Sequence, residues 1–413
     1  MWFAENKSWS QFRRSLGSFS AIVLKDGSTV WAEDPYGKTI ASGEAGVDDA
    51  SVIQSALDAV EGVVFLRKGL YYCRPLFTES WNSGYIKSAL KPRSNQILVG
   101  EGDATILKIP DNTLVAGEKW VFRLIYSSEG INNLVIKNLK IDCNYQNQPE
   151  PEYPYVMASG IWIRNASDVT INGVTVINAN EAGIVVDYST NIRLYNNHVK
   201  KFGLGGLLAG YSKGVILFNN LVEEGFIVVS EEKGYWCHAL GVEECSDSIA
   251  TANVIRDMPT DTIIEPGRKA VGIEADCRTA RHLVISDNVV DWINTPPAND
   301  ERFVGIEVLT GETGYTAENI HIIGNIVARA GDGMFIEAVD PEGVRNLSIE
   351  GNYIFDVQTY GIYLHRVREI LCNNNFISSK STAIYVDSGN RVQLVSNYLS
   401  SVDAHGAYFA GGS

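Results

Sequence analysis

Five carboxylic acids occupy corresponding places in successive copies of a short repeat, and they are well suited to proton transfer: Glu243, Glu274, Asp276, Glu307 and Glu337. When two carboxyl groups lie close together, one can donate a proton while the other activates water or attacks a carbon atom. Crowding of like charges also raises the pKa of at least one carboxyl, as a general acid requires. We therefore expect Glu307 and Asp276 to form the catalytic pair, with Glu274 and Glu337 in support.

The repeat that aligns these acids starts near residue 130. Each copy has a Gly-Ile-like strand start, a turn, a strand of alternating apolar residues, an asparagine and two or three further strand residues. The intervals between the asparagines are 23, 33, 35, 37, 27, 23 and 22 residues. The shortest intervals match one coil of a three-stranded parallel β-helix. The asparagines are Asn197, Asn220, Asn253, Asn288, Asn325, Asn352, Asn375 and Asn397.

We expect these asparagines to stack inside the coils, where the amides of neighbouring coils hydrogen-bond and the residue type tolerates the left-handed turn that ends a strand. In two earlier coils Val174 and Leu139 take the same place. A leucine-rich repeat has a similar period, but its LxxLxL pattern and helical half are missing and β-branched residues dominate. An antiparallel sandwich would need hairpin turns, and only Asn172-Gly173 fits one.

Alternation along the Gly-Ile strands sorts their side chains, because the second and fourth positions are apolar and must face the core. The third and fifth positions should therefore face out. Acids occupy the centre of these two columns and aromatic residues the flanks, which is typical of a sugar-binding groove. The third column is Trp162, Val185, Leu208, Gly241, Glu274, Glu307, Phe335, Tyr363 and Tyr385, and the fifth is Arg164, Asp187, Gly210, Glu243, Asp276, Leu309, Glu337, His365 and Asp387.

The three longest intervals belong to the coils that carry the acids. Their extra residues fall largely before the outward strand, in Glu223–His238, Arg256–Ala270 and Asp291–Phe303, with a further loop at Thr310–Glu318. Insertions in a solenoid form loops on one face, often the binding face. From these loops and columns we expect the substrate-binding residues to be Glu243, Trp162, Trp236, His238, Arg268, Lys269, Trp292, Arg302, Phe335, Tyr363, His365 and Arg366.

Strand spacing gives the separation of the acids. Coils lie about 4.8 Å apart and alternate residues about 6.6 Å apart, so Glu274 and Glu307 should be about 5 Å apart, near a retaining pair. Asp276 and Glu307, on the diagonal, come to about 8 Å, within the inverting range. The sequence leaves both mechanisms open.

The segment before the repeat carries a recognisable pattern. It contains a D-D-x-x-x-I-Q-x-A-L helix at 48–60, a V-F-L-x-x-G-x-Y strand and an I-L-V-G-E-G turn at 97–102. This segment resembles the opening of the pectin-lyase-like superfamily, which includes pectate lyases, polygalacturonases, epimerases and phage tailspikes. The resemblance implies an all-β, right-handed parallel β-helix with three sheets and about ten or more coils. We predict a small β leader at 1–44 and the β-helix, with its capping helix, at 45–413.

The resemblance implies several functions. The first is a polysaccharide hydrolase, although the NTD, DD, GHG and RxK motifs of polygalacturonases are absent. The second is a pectate-lyase-like eliminase or a uronate epimerase. There Glu274, Asp276 and Glu307 would bind Ca²⁺, and the base would come from Arg268, Lys269, Arg278 or Arg302. A lyase would ordinarily show more basic residues on its outward sheet than Arg164 alone. The third is a glycan-binding viral tail fibre or surface adhesin without catalysis.

Composition limits the partners. The net charge is −15 without a basic cluster, which argues against nucleic acid and anionic membranes and favours a polysaccharide or oligosaccharide. No cofactor is required, with Ca²⁺ as the exception for a lyase. We expect the six cysteines to be small buried residues, with a Cys237–Cys245 disulfide as the alternative. No signal peptide or membrane span is visible, so localisation, oligomeric state and the polysaccharide itself stay open.

Overall fold

The computed structural model describes residues 19–81, 84–150, 155–226, 237–258, 269–277, 279–292, 303–341 and 343–410. The chain begins with β1 (Ala21–Asp26), β2 (Thr29–Glu33), β3 (Thr39–Glu44), helix α1 (Asp49–Ala59), β4 (Gly62–Leu66), β5 (Gly69–Tyr72), β6 (Phe77–Trp81), β7 (Gly84–Leu90), β8 (Gln96–Lys108), β9 (Trp120–Ser127) and β10 (Asn132–Asp142). A short 3-10 helix follows at Tyr145–Asn147.

The coils that carry the first asparagines contain β11 (Ala158–Arg164), β12 (Ser167–Ala179), β13 (Ala182–Asp187), β14 (Thr190–Tyr195), β15 (His198–Phe202), β16 (Gly205–Gly210), β17 (Lys213–Phe218) and β18 (Leu221–Glu223). The next coils contain β19 (Cys237–Glu243), β20 (Ser248–Thr251), β21 (Val254–Arg256), β22 (Ala270–Asp276), β23 (Thr279–Ser286), β24 (Val289–Asp291), β25 (Phe303–Thr310), β26 (Thr316–Ile323) and β27 (Ile326–Ala328).

The last coils contain β28 (Asp332–Ala338), β29 (Val344–Glu350), β30 (Tyr353–Val357), β31 (Tyr360–His365), β32 (Val367–Asn373), β33 (Phe376–Ser379), β34 (Thr382–Asp387), β35 (Asn390–Val395), β36 (Tyr398–Ser401) and β37 (Ala407–Ala410). Each coil strand pairs in parallel with its counterpart in the next coil, which confirms the predicted solenoid.

Two sheets enclose the core. Sheet 1 runs β6-β7-β9-β11-β13-β16-β19-β22-β25-β28-β31-β34-β37, and sheet 2 contains the other described strands. The predicted second and third faces form one sheet here, because long strands such as β10 and β12 continue around the corner between them. The interior is filled by fully buried Ile, Val and Leu side chains from both sheets.

The asparagine ladder is present as predicted. Each Nδ2 donates to the Oδ1 of the asparagine one coil further on, and that Oδ1 also accepts the backbone N–H of the first asparagine. The second Nδ2 hydrogen reaches a backbone carbonyl of the preceding coil, as in Asn288 to Ala250 O at 2.9 Å. The left-handed residue is the one before each asparagine: Asn196, Asn219, Ala252, Asp287, Gly324, Gly351, Asn374 and Ser396.

Glycine at the start of the sheet 1 strands interrupts the alternation of side chains. A Cβ on Gly272 would lie 2.5 Å from Val290 Cγ1 in the core and 2.6 Å from the Gly305 carbonyl oxygen. The glycine and the following Ile273 therefore both face inward. As a consequence, the residue before the glycine faces outward, and the strand has an outward position that simple alternation does not predict.

The N-terminal end is covered by α1, which places Ile53 and Leu57 in the core. Its bounds match the prediction to within a residue, but the Asp48 side chain makes no capping hydrogen bond. Strands β1, β2 and β3 pair antiparallel, and β1 also pairs in parallel with β4. The domain division at residue 44 stays a prediction.

All six cysteines are free and buried, which confirms their interpretation as small core residues and excludes the Cys237–Cys245 disulfide. Within the described ranges, no helix has the length and apolar character needed to span a bilayer.

Candidate active site on sheet 1

The two outward columns have the predicted register. In the third column Gly241 pairs with Glu274, Glu274 with Glu307, and Glu307 with Phe335. In the fifth column Asp276 pairs with Leu309 and Leu309 with Glu337. The acids therefore lie together on the outer face of adjacent strands β19, β22, β25 and β28.

The third-column acids are less accessible than we expected. Glu274 is 2% exposed and Glu307 is 0% exposed. Both point away from the core, but neighbouring side chains cover them, so the centre of this column is not a solvent-facing row. The fifth-column acids Glu243, Asp276 and Glu337 are half-exposed and form the accessible edge of the cluster.

A third outward column runs beside the other two. It is formed by the residue before each strand-opening glycine or alanine, and its pairs include Gly205 with His238, His238 with Val271, and Val271 with Val304. His238 therefore lies within strand β19, where we had expected a loop residue. Val271, Val304 and Phe335 form a small apolar cluster outside the main core. The same alignment would have predicted this column had the glycine bend been recognised.

His238 forms an ion pair with Glu274 through Nδ1, and the same nitrogen is 3.7 Å from Glu243 Oε1. Burial raises the pKa of the Glu274 carboxyl to about 7, although the facing histidine opposes the shift. Burial lowers the pKa of His238, but the negative charges of Glu274 and Glu243 and their hydrogen bonds outweigh it and raise it to about 10. At neutral pH the histidine is therefore a cation beside a carboxyl that holds a proton part of the time.

Lys269 forms the corresponding ion pair with Glu307. Its Nζ contacts Glu307 Oε1 and lies 3.6 Å from the centre of the Phe335 ring. Burial raises the pKa of Glu307, against the effect of the lysine charge. Glu307 Oε2 accepts no hydrogen bond from any described residue. The two buried acids on neighbouring strands thus each have one cationic partner.

Aromatic residues extend from this cluster towards the C-terminal end. Phe335 and Tyr363 stack with ring centres 4.7 Å apart, Tyr363 and Tyr385 at 5.5 Å, and Tyr385 and Tyr408 at 5.3 Å. Because the coil spacing suits ring stacking, the faces we expected to hold pyranose rings already contact each other. Tyr363 and Tyr385 remain half-exposed, so a ligand would meet their edges.

His365 and Arg366 end this part of the groove. His365 Nδ1 is 2.9 Å from Asp387 Oδ2, and Arg366 is exposed and donates to the Val339 carbonyl oxygen at 2.5 Å.

Trp292 does not belong to this face. It follows β24 directly, is fully buried in the main core and packs edge-on against Phe303, so it does not line the outer face.

A second buried cluster, not predicted from the sequence, lies towards the N-terminal end of the same face. The Arg123 guanidinium lies 3.4 Å from the ring centre of Trp162, and its Nη2 donates to Glu181 Oε1 at 3.4 Å. Trp162 Nε1 donates to Asp187, whose pKa burial raises to about 6. Trp162 is thus half-exposed with one ring face covered by Arg123.

Four residues named in the sequence predictions, Trp236, Arg268, Arg278 and Arg302, lie outside the described residues.

The proposed Ca²⁺ ligands are not brought together as a set. Among the described residues, the group whose ligand atoms lie within 4.8 Å of one another is His238, Glu243 and Glu274, without Asp276 or Glu307. One imidazole and two carboxylates do not provide the all-oxygen shell that Ca²⁺ prefers.

Comparison with known proteins agrees with the fold. Residues 124–327 match the family described as right handed beta helix region, and residues 286–413 match the family described as periplasmic copper-binding protein (NosD). The His238 group lies outside the second match. No curated protein matches the sequence.

Solved structures share the architecture at low identity. The A-module of the mannuronan C-5 epimerase AlgE4 of Azotobacter vinelandii is 18% identical, with a TM-score of 0.61, and the match covers 89% of this chain and 95% of that one. A tailspike protein of E. coli bacteriophage HK620, in complex with pentasaccharide, is 12% identical with a TM-score of 0.56, covering 91% and 79%. The catalytic domain of a GH87 α-1,3-glucanase, in complex with tetrasaccharides, is 14% identical with a TM-score of 0.55, covering 87% and 66%.

The chain is therefore a right-handed parallel β-helix, as the sequence pattern predicts.

Proposed function

We propose that the outer face of sheet 1 binds a polysaccharide and hydrolyses its glycosidic bonds. The observation that supports this most strongly is the position of buried carboxyl groups with raised pKa next to half-exposed carboxylates. Glu274 and Glu307 belong to the first kind, and Asp276 and Glu337 to the second. Glycoside hydrolysis needs one group of each kind, because one carboxyl must hold a proton when the other is ionised.

In this proposal Glu307 is the general acid and Asp276 the carboxylate that activates water or attacks the anomeric carbon. The diagonal between their strand positions corresponds to about 8 Å, which suits an inverting reaction with a water between them. A glycan reaches Glu307 when the Lys269 side chain moves aside. The flexible four-carbon stem of the lysine permits this movement. Glu274 and Glu337 are the neighbouring acids that support the pair through their negative charge.

The charge of the groove favours a neutral glycan. Along the fifth column the acids Glu243, Asp276 and Glu337 are half-exposed, and the arginine of that column is Arg164. A uronate chain would be repelled by such a row unless a metal ion intervened. Elimination or epimerisation of a uronate is the second candidate. The similarity to the fold of the mannuronan C-5 epimerase module is what favours it.

A substrate screen distinguishes these reactions. The full chain is incubated with neutral glucans, xylans, polygalacturonate and alginate, with and without chelator, and both reducing ends and absorbance near 235 nm are followed. We expect new reducing ends on a neutral glycan, unaffected by chelator and without an unsaturated product. Absorbance that depends on a metal ion would instead indicate elimination, and glycan binding without any product would indicate an adhesin.

A further inference from the structure

The geometry points to a binding site for a divalent first-row transition metal formed by His238, Glu243 and Glu274, independent of whether the protein hydrolyses glycans. His238 supplies Nδ1, and each glutamate supplies one carboxylate oxygen. The three ligand atoms lie within 4.8 Å of one another, and a metal ion between them would contact all three after small side-chain movements. Strands β19 and β22 hold the three residues, so the site rests on paired strands.

The hydrogen bonding of Glu274 gives a separate reason to expect a ligand. Glu274 is 2% exposed, and its Oε2 contacts His238 but accepts no hydrogen bond of normal geometry from any described residue. The His238 imidazole is its described partner but does not meet hydrogen-bond geometry, and a metal ion that replaces the imidazole proton would pair with both atoms. Glu274 Oε2 is therefore the carboxylate oxygen that would bind the metal, opposite His238 Nδ1.

The site is also accessible from outside, and its packing depends on a glycine. Gly241 lies opposite Glu274 on the neighbouring strand and has no side chain. A Cβ there would be 3.1 Å from Glu243 Oε1 and 2.8 Å from Leu208 Cδ2, so any side chain at this position would displace Glu243 or Leu208. The side chains of Glu243 and His238 are 31% and 13% exposed, which leaves an open side for an ion and its water.

The donor set selects the class of metal. An imidazole nitrogen with two carboxylate oxygens resembles three-ligand sites that keep a fourth position for water, and such sites favour Zn²⁺ and its neighbours over Ca²⁺ or Mg²⁺. Contact with two carboxylate residues also distinguishes His238 from three other histidines. His198, His282 and His365 each contact one carboxylate residue, Glu223, Asp247 and Asp387 respectively.

Titration calorimetry of the full chain with Zn²⁺ alone, after treatment with chelator, tests the site. We expect one Zn²⁺ per chain, and weaker binding of Ca²⁺ and Mg²⁺. His238→Gln and Glu243→Gln should each weaken Zn²⁺ binding at least about tenfold. His282→Gln is the matched control, because this exposed histidine also pairs with an acid, and it should leave the binding unchanged.

Glu243→Gln keeps the test decisive if His238→Gln fails to fold, because Glu243 lies at the surface of the cluster. Equal Zn²⁺ affinity in the wild type and in Glu243→Gln, or a wild-type affinity no tighter than about millimolar, would overturn the proposal. Loss of binding in His282→Gln but not in Glu243→Gln would place the metal elsewhere and overturn it as well. Failure of the glycan screen leaves this result unaffected, because the calorimetry needs no substrate.

Discussion

Replacing Lys269 by methionine removes the cation that pairs with Glu307 while keeping most of the side-chain volume. The Lys269 side chain is 19% exposed and the Glu307 side chain 0% exposed, so the variant leaves a negative charge buried. Removing one partner of a buried ion pair costs about 3 to 5 kcal/mol of the free energy of unfolding. Because Lys269 retains some contact with solvent, we expect a value near the lower end. The cation–π contact with Phe335 is lost as well.

This cost should depend on pH. The folded-state pKa of Glu307 is already raised by burial, and loss of the lysine raises it further. An acid whose pKa is higher in the folded than in the unfolded protein takes up a proton on folding, so its contribution to stability falls as pH rises above the unfolded value. The destabilisation by Lys269→Met should therefore be larger at pH 8 to 9 than at pH 5, because a falling pH favours the protonated, uncharged form of Glu307.

Urea unfolding followed by circular dichroism at both pH values measures the effect. Lys269→Met with Glu307→Gln should recover most of the stability at the higher pH, because the second change removes the uncompensated charge. Lys213→Met is the matched control, since Lys213 pairs with Asp247 on the exposed surface, and it should cost less than about 1 kcal/mol. A loss below about 1 kcal/mol in Lys269→Met, or one that does not change with pH, would refute the buried pair.

Two further predictions concern the ladder and the histidine. Asn288→Ala removes four side-chain hydrogen bonds of 2.9 Å and should lower the free energy of unfolding by about 3 to 5 kcal/mol, whereas Asn397→Ala at the partly exposed end should cost less than half as much. The raised pKa of His238 stabilises the fold fully below about pH 6.5, and this contribution is lost as pH rises to about 10. His238→Gln should abolish that decline in melting temperature, and an unchanged pH profile would contradict it.

The sequence was sufficient to predict the features that repeat with the coil. The asparagine intervals predict the ladder, and the aligned strands predict which residues of neighbouring coils pair, including Glu274 with Glu307. Both follow from strict periodicity, because each coil must place the same position at the same point of the solenoid. The capping helix was predictable from its own amphipathic pattern, which depends only on the local sequence.

The environment of each acid was not predictable in this way. Glu274 and Glu307 are buried by His238 and Lys269, and each cation lies at a position outside the two columns that alternation defines. His238 lies on the outer face because the sheet 1 strands bend at the small residue that follows, which is Ala239 here. In neighbouring strands this residue is a glycine in close contact with the next coil, such as Gly272 against Gly305. The aromatic rings were assigned correctly to one column, but their mutual stacking depends on the coil spacing and not on residue type alone.

The most direct test of the proposed site compares Asp276→Asn and Glu307→Gln with Glu369→Gln on the best substrate of the screen. Glu369 is an exposed acid on sheet 2, paired with Arg391, and serves as the control for removing one surface charge. Both site variants should retain the wild-type circular dichroism spectrum and lose at least about a hundredfold in kcat, as expected for a general acid or base, while Glu369→Gln keeps wild-type activity. Full activity in either Asp276→Asn or Glu307→Gln would contradict the role assigned to that residue.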